Sequence, residues 1–398
     1  MKRMTAVLTA LMLLLCSACA GNKDAAPASE APQAPAAPAD FEGYVSNTVI
    51  ATGANYLVDK ADSTTFRTYL PVEEAGSLSY SFYISNVVDS TWERGRYAYV
   101  GKDGGAWTIE SAGVGTAADP EGEVSFTPVT FAGKERREVS PGQCFWSDEV
   151  TLDVPEGQYL VWEWTLTGQD IPCIRMSELA YSFAGKDGAL DYNMDVPAPK
   201  FIGAKRSVTK TVACFGDSIT QGAQTSAYGQ GFWAAGLSRA LGPDVSVYNA
   251  GIGYARASDA AQSSDWRARA GHANVVTLAF GTNDLAVGAY GQMGGSSAEE
   301  IEGSLRTLIG DLQEGGCTVI LFNAPPFDFD EGTEEIRQAL NARIPVIAEE
   351  TGALFFDMNA VLEDPAHPGT SLYGGHPDDE GCALVTEALL AQYGDVLR

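Results

Sequence analysis

The chain has 398 residues, 52 of them acidic and 25 basic, and carries a formal net charge of −27 at neutral pH. Such an acidic surface repels phosphate backbones and anionic headgroups, which argues against nucleic acid as a partner. The length exceeds what one hydrophobic core usually serves, so two domains are expected.

Lys2 and Arg3 precede an apolar run from Ala6 to Leu15 and then "CSAC". A basic start and a short apolar run read as a secretory signal over residues 1–18, too short to span a bilayer. Ser17 and Ala18 before Cys19 resemble the bacterial lipobox, which would make Cys19 the acylated first residue of an exported, membrane-anchored lipoprotein. Removing the signal leaves 23 basic against 52 acidic residues. Residues 19–40 are rich in Ala and Pro and hold no large apolar side chain before residue 41. They cannot bury enough surface to fold and read as a tether.

From residue 41 to 200 the pattern is that of β-strands. "SLSYSFYIS" (77–85) alternates Leu78, Tyr80, Phe82 and Ile84 with serines and Tyr83, the period of a half-buried strand. "YLVWEWTL" (159–166) places Leu160, Trp162, Trp164 and Leu166 on one face. Turn signals such as "KDGG" and "VPEGQ" separate comparable runs, which predicts an antiparallel, jelly-roll-like β-sandwich. Its aromatics suit either a sugar-binding face or a core. Alternating aromatics in strands are usually core, and that is the expectation.

A Pro- and Lys-rich joint near 195–210 leads into a different rhythm over 208–398. "TVACF", "DVSVYN", "NVVTLAF", "CTVILF" and "ALFFD" alternate with helical stretches, predicting an α/β domain with a doubly wound parallel five-stranded sheet. Ser297 and Glu300 form a capping-box pattern, and Pro345 is expected to kink or split the fourth helical stretch. Five cysteines remain besides Cys16 and Cys19. Export permits a disulfide between Cys144 and Cys173, but the odd total and irregular spacing predict mostly buried thiols. No metal-ligand spacing and no cofactor signature appears. "GIGYAR" lacks the third glycine of a dinucleotide fingerprint, and no G-x-S-x-G elbow occurs.

Ligands of open parallel sheets collect outside the carboxyl ends of the strands. There the sequence places "GDSIT" with Ser218, "NAGIGYAR", "GTNDL" with Asn283, and the approach to His376. A serine hydroxyl needs a base to take its proton, and the oxyanion that follows needs pre-aimed donors. The base comes from three histidines, His272, His367 and His376. His272 precedes a strand, on the wrong edge of the sheet, and reads as a solvated loop residue.

These four blocks, in this order, resemble those of the SGNH (GDSL-type) hydrolases over about residues 211–393. The fold this implies is flavodoxin-like. The preceding β-region is similar to the β-domain of extracellular SGNH hydrolases, and the pair resembles family-2 carbohydrate esterases, which remove acetyl groups from polysaccharides. The resemblance implies Ser218 as nucleophile and His376 as base. It implies the Ser218 N–H and Asn283 as oxyanion donors, with Gly216, Asp217, Gly281 and Asp284 as supporting motif residues. The block II glycine aligns with Tyr254, just after Gly253, so that donor requires the Tyr254 backbone to adopt the turn. Tyr373 stands where the family has the Asp that holds the histidine. A literal D-x-x-H, Asp364 to His367, occurs nearby but lacks the context of His376, which Pro377 and an apolar helix follow. Either a backbone carbonyl or Asp364 is then left to orient His376, while Asp378 and Asp379 are expected to cap the last helix.

The expected activity is that of an exported serine esterase acting on O-acetyl or other short acyl esters of a glycan, without a cofactor. Its partners would be an acylated polysaccharide or another small ester, and the membrane only through a lipid anchor. The missing Asp motivates a second reading, a surface glycan-binding protein with a decayed hydrolase core. A lipid-cleaving esterase is a third, although no long apolar lid segment is visible.

Overall fold

The computed structural model describes residues 41, 43–90, 92–93, 96–97, 101–175, 179–289 and 295–398. The expected signal, Cys19 and the tether lie outside these residues. The alternation in "SLSYSFYIS" gives the strand Gly76–Ser85, the centre of a five-stranded antiparallel sheet. Phe201–Ala204 flanks it on one side, followed by Val45–Ser46. Cys144–Trp146 and Val150–Val154 pair with it on the other. A second antiparallel sheet is built on the long strands Tyr56–Pro71 and Tyr159–Arg175, paired from Tyr159 opposite Pro71 to Cys173 opposite Tyr56. Trp107–Ala117 and Ser182–Lys186 extend it on either side.

Leu160, Trp162, Trp164 and Leu166 are all buried between the sheets. Phe82 of the first sheet meets Trp162 of the second with ring centroids 4.4 Å apart, and Trp107 meets Trp164 edge-on. Each such pair adds about 0.5–1.5 kcal/mol to the area it buries. These aromatics are core, as the alternation predicts.

The half-buried reading of 77–85 does not hold. Ser81, Tyr83 and Ser85, on the face opposite Phe82 and Ile84, are buried as well. The second face is covered by the C-terminal α/β region. The Tyr83 hydroxyl donates to Asp265 Oδ1 at 2.6 Å and Ser85 Oγ to Asp265 Oδ2 at 2.8 Å. Period two reports which residues share a face, not whether another layer covers it.

Around that contact lies a buried ionic network. Lys200 Nζ is 2.8 Å and Arg269 Nη2 3.0 Å from Asp89 Oδ2, and Arg269 also pairs with Asp265. Desolvating these charges is costly, so each depends on its partners. Lys200 lies in the stretch read as a joint. That stretch in fact contains the strand Phe201–Ala204, because Phe201, Ile202 and Ala204 have apolar surface to bury on both layers. The described residues form one compact unit.

The C-terminal sheet is parallel throughout, in the order Val245–Asn249, Lys210–Gly216, Val275–Ala279, Thr318–Phe322, Leu354–Phe356. Taken in chain order this is 2-1-3-4-5, the doubly wound flavodoxin-like arrangement, with its topological switch between the first and third strands. The helix Ala298–Glu314 begins with the expected capping box of Ser297 and Glu300. Pro345 does not split its helix, which runs from Glu331 to Thr351. Leu340, Ile344, Ile347 and Ala348 bury a continuous stripe on both sides of the proline, and that packing outweighs one lost hydrogen bond. The break comes instead in the last helix, Asp379–Leu397, at Tyr393 (φ −130°). Cys144, Cys173, Cys214, Cys317 and Cys382 are all free thiols. The permitted Cys144–Cys173 disulfide is not formed, since the two residues stand in different sheets of the sandwich.

Candidate active site

The first parallel strand ends at Gly216 and turns at once into the one-turn helix Ser218–Gln221. Asp217 caps that helix, its carboxylate accepting the Ile219 N–H at 2.9 Å. A Cβ at position 216 would stand 2.2 Å from Thr220 Oγ1 and 2.6 Å from the Ala279 carbonyl, so the turn closes this tightly only with glycine. Burial pushes the Asp217 carboxyl up to about 7. The outcome is a serine held at the carboxyl edge of the sheet, beside the switch point.

His376 arrives from the far end of the domain. Ser218 Oγ and His376 Nε2 are 2.8 Å apart, within hydrogen-bond reach. The Phe327 ring meets the imidazole edge-on at 5.3 Å between centroids. Asp378 caps the following helix through the Gly381 N–H at 2.9 Å, as expected. Asp379 does something else: its Oδ1 accepts the Ser226 N–H at 2.7 Å, tying the loop after Ser218 to the loop that carries His376.

The oxyanion candidates meet at the same place. Tyr254 adopts φ +67° within a turn closed by the Ala255 N–H on the Ile252 carbonyl, so the block II departure keeps the turn conformation. Gly281, at φ +129°, lets the third strand swing into the helix Thr282–Ala289. The two polar side chains of "GTND" then brace block II. Asn283 Nδ2 donates to the Ala255 carbonyl at 3.1 Å, and Asp284 Oδ2 accepts the Ala257 N–H at 2.9 Å. Burial, with Asp259 adding to it, pushes the Asp284 carboxyl up to about 7. Asn283 retains a second amide hydrogen. Ser218, Gly253, Tyr254, Asn283 and His376 all line one open cleft, whose volume is about 770 Å³ with the open solvent at its mouth included.

Asp364, the acid left to orient His376, pairs with the other histidine of this connection: its Oδ2 is 2.7 Å from His367 Nδ1 and its Oδ1 accepts the Ala366 N–H. His367 is 74% exposed in its side chain and does not line the cleft. Tyr373 does not block the cleft. It packs against Gly381 and the core of the last helix. His272 is exposed, with its ring against Phe41. Among the described residues, no cluster of three or more His, Cys, Asp or Glu could hold a metal ion.

One wall of the cleft was not foreseen. Asn55, Tyr56, Arg175 and Leu179 belong to the sandwich region, yet they face Ser218 and His376. Asn55 Nδ2 donates to the Gly253 carbonyl at 2.9 Å, so the sandwich also braces block II. No local signal marks these residues, because two strand ends of a separate sheet bring them there. Among the described residues, no carboxylate lines the cleft of this acidic protein.

A doubly wound sheet with a serine and a histidine meeting at its switch point fits an SGNH-type α/β domain, here preceded by an antiparallel β-rich region. Residues 214–384 match the model of the GDSL-like Lipase/Acylhydrolase family. Among solved structures, the chain is similar to Axe2, an acetylxylan esterase from Geobacillus stearothermophilus, at 22% identity over 47% of this chain and 95% of that one (TM-score 0.39). It is also similar to LAE5, an alpha/beta hydrolase enzyme from the metagenome of Lake Arreo, at 20% identity over 48% and 97% (TM-score 0.39). No curated protein matches the sequence.

Proposed function

We propose that the protein is an exported serine esterase that removes acetyl or other short acyl groups from a glycan, with Ser218 as nucleophile and His376 as general base. The 2.8 Å contact between Ser218 Oγ and His376 Nε2, inside a cleft shared with Asn283, carries this reading. As Ser218 attacks the ester carbonyl, His376 takes its proton and then returns it to the departing alcohol, leaving an acyl-serine. Water repeats the sequence and frees the carboxylic acid. The oxyanion finds the Asn283 amide, the Ser218 N–H and the block II turn at Gly253 and Tyr254 as donors.

Export and anchoring through an acylated Cys19 are part of this proposal. Among the described residues no helix is long and apolar enough to cross a membrane. A cleft lined by polar side chains such as Asn55, Arg175, Gln221 and Asn283 favours small acyl groups over lipid chains. Replacing Ser218 by Ala is expected to abolish hydrolysis of p-nitrophenyl acetate. Retained turnover would overturn the assignment, and polysaccharide binding without turnover across an ester panel would favour a glycan-binding protein instead.

A further inference from the structure

Three polar side chains on the sandwich wall of the cleft, Asn55, Tyr56 and Arg175, keep polar atoms that the fold does not fully use. Asn55 and Tyr56 are each 2% exposed. Among the described residues, Asn55 Oδ1 and the Tyr56 hydroxyl have no partner in good hydrogen-bond geometry; the Tyr56 hydroxyl interacts with the Tyr254 side chain, itself part of the cleft wall. Native proteins rarely leave buried polar atoms unsatisfied, and here two such atoms stand on consecutive residues in the wall of one cleft. Beside them, Arg175 gives Nε and Nη2 to the Asp195 carboxylate at 2.9 and 3.2 Å, and its guanidinium sits 4.8 Å from the centre of the Tyr56 ring.

We propose that the sandwich region supplies the leaving-group subsite of the esterase, in which Asn55, Tyr56 and Arg175 bind hydroxyls of the sugar that is being deacylated. The inference rests on the esterase reading above and adds to it the part of the substrate this wall recognises. An amide acceptor, a phenol that both donates and accepts, and guanidinium hydrogens complement sugar hydroxyls, each of which donates and accepts in turn. A hydrocarbon acyl chain placed there would leave the Asn55 acceptor and the Tyr56 hydroxyl desolvated without compensation. Asp195 already neutralises Arg175, so the subsite selects hydroxyls and not an anion.

The wall is also preorganised. The Ala54 N–H donates to Asp89 Oδ2 at 2.9 Å, tying this segment to the buried ionic network, and the Asn55 N–H donates to the Cys173 carbonyl at 3.1 Å. Gln221 of the serine's own helix reaches the Arg175 carbonyl at 3.5 Å. A rigid wall loses little entropy when the sugar binds.

The test compares two acetyl esters, a mono-O-acetylated methyl glycoside and p-nitrophenyl acetate, whose leaving groups differ in bearing hydroxyls. Tyr56→Phe and Arg175→Gln are each expected to lower the kcat/KM ratio, glycoside over p-nitrophenyl ester, by about 10-fold. The melting temperature of Tyr56→Phe should stay close to the wild-type value, since the deleted hydroxyl has only the Tyr254 side chain of the same cleft beside it. A ratio within about twofold of wild type for both variants overturns the subsite. If the wild type hydrolyses neither ester, the esterase reading fails separately, and calorimetric binding of a xylo-oligosaccharide then decides. About 10-fold weaker binding by Tyr56→Phe sustains the subsite, and equal binding, or none by the wild type, ends it.

Discussion

His367 and His376 stand in the same connection between the helices Met358–Leu362 and Asp379–Leu397, and they make opposite use of similar chemistry. His367 has the carboxylate that a catalytic histidine is expected to have, at 2.7 Å, but it lies in solvent and far in role from any nucleophile. His376 lacks the Asp three residues before it, yet it is half-buried and reaches Ser218 at 2.8 Å. An Asp-x-x-His spacing is readily satisfied by a local turn, because the Asp side chain folds back on the backbone N–H groups that follow it. A catalytic histidine is defined by what faces its other nitrogen, and that partner comes from the opposite end of the domain.

That contrast can be broken most sharply by exchanging the two histidines for alanine. His376→Ala is expected to lower kcat for p-nitrophenyl acetate by about 10³- to 10⁴-fold, as when a general base is lost beside a serine. His367→Ala should stay within about twofold. Reversal of that order would make Asp364 and His367 the working pair. Asn283→Ala should come next, with kcat reduced about 10²- to 10³-fold if its amide faces the oxyanion. A loss confined to KM would assign it to ground-state binding instead.

The same comparison can be sharpened at the level of stability. Asp89 is the buried anion shared by Lys200 and Arg269, whereas Asp364 is an exposed carboxylate. Asp89→Ala leaves the buried Lys200 without its carboxylate partner and should lower the unfolding free energy by about 3–5 kcal/mol in urea titrations. Asp364→Ala should leave the urea midpoint close to that of the wild type.

A pH dependence extends the comparison of buried and exposed carboxylates. The Asp284 carboxyl is raised from 3.8 to about 7 by burial. Between these values the folded chain holds a proton that the unfolded chain has released, so this group's contribution to stability is greatest near pH 4 and declines as pH rises to about 7. Asp284→Asn keeps an acceptor for the Ala257 N–H and does not titrate. Its stability relative to wild type should therefore improve by roughly 2–4 kcal/mol from pH 4 to pH 8. An unchanged difference across that range would show that Asp284 is ionised in the fold.

Much of the α/β fold was legible, because each element there carries its own local cause. The five apolar runs became the five parallel strands, Ser297 and Glu300 opened a helix, and "GDSIT" and "GTND" fell at strand ends where turns need glycine and capping residues. Proline-based reasoning was weaker. At Pro345 a buried stripe on both sides kept the helix in one piece, and packing energy summed over several side chains exceeded one local preference.

Residue order along the chain thus determined the periodicities, the caps and the two polar turns that place Ser218 and Asn283 on one edge of a sheet. It could not decide which histidine completes the pair, that the second face of Gly76–Ser85 is buried, or that Asn55, Tyr56 and Arg175 would wall the cleft. Those depend on contacts between segments remote in sequence, formed when the sandwich packs against the α/β layers. Local patterns encode what a segment prefers to expose or bury, whereas the identity of the surface it meets is fixed only when the whole chain has condensed.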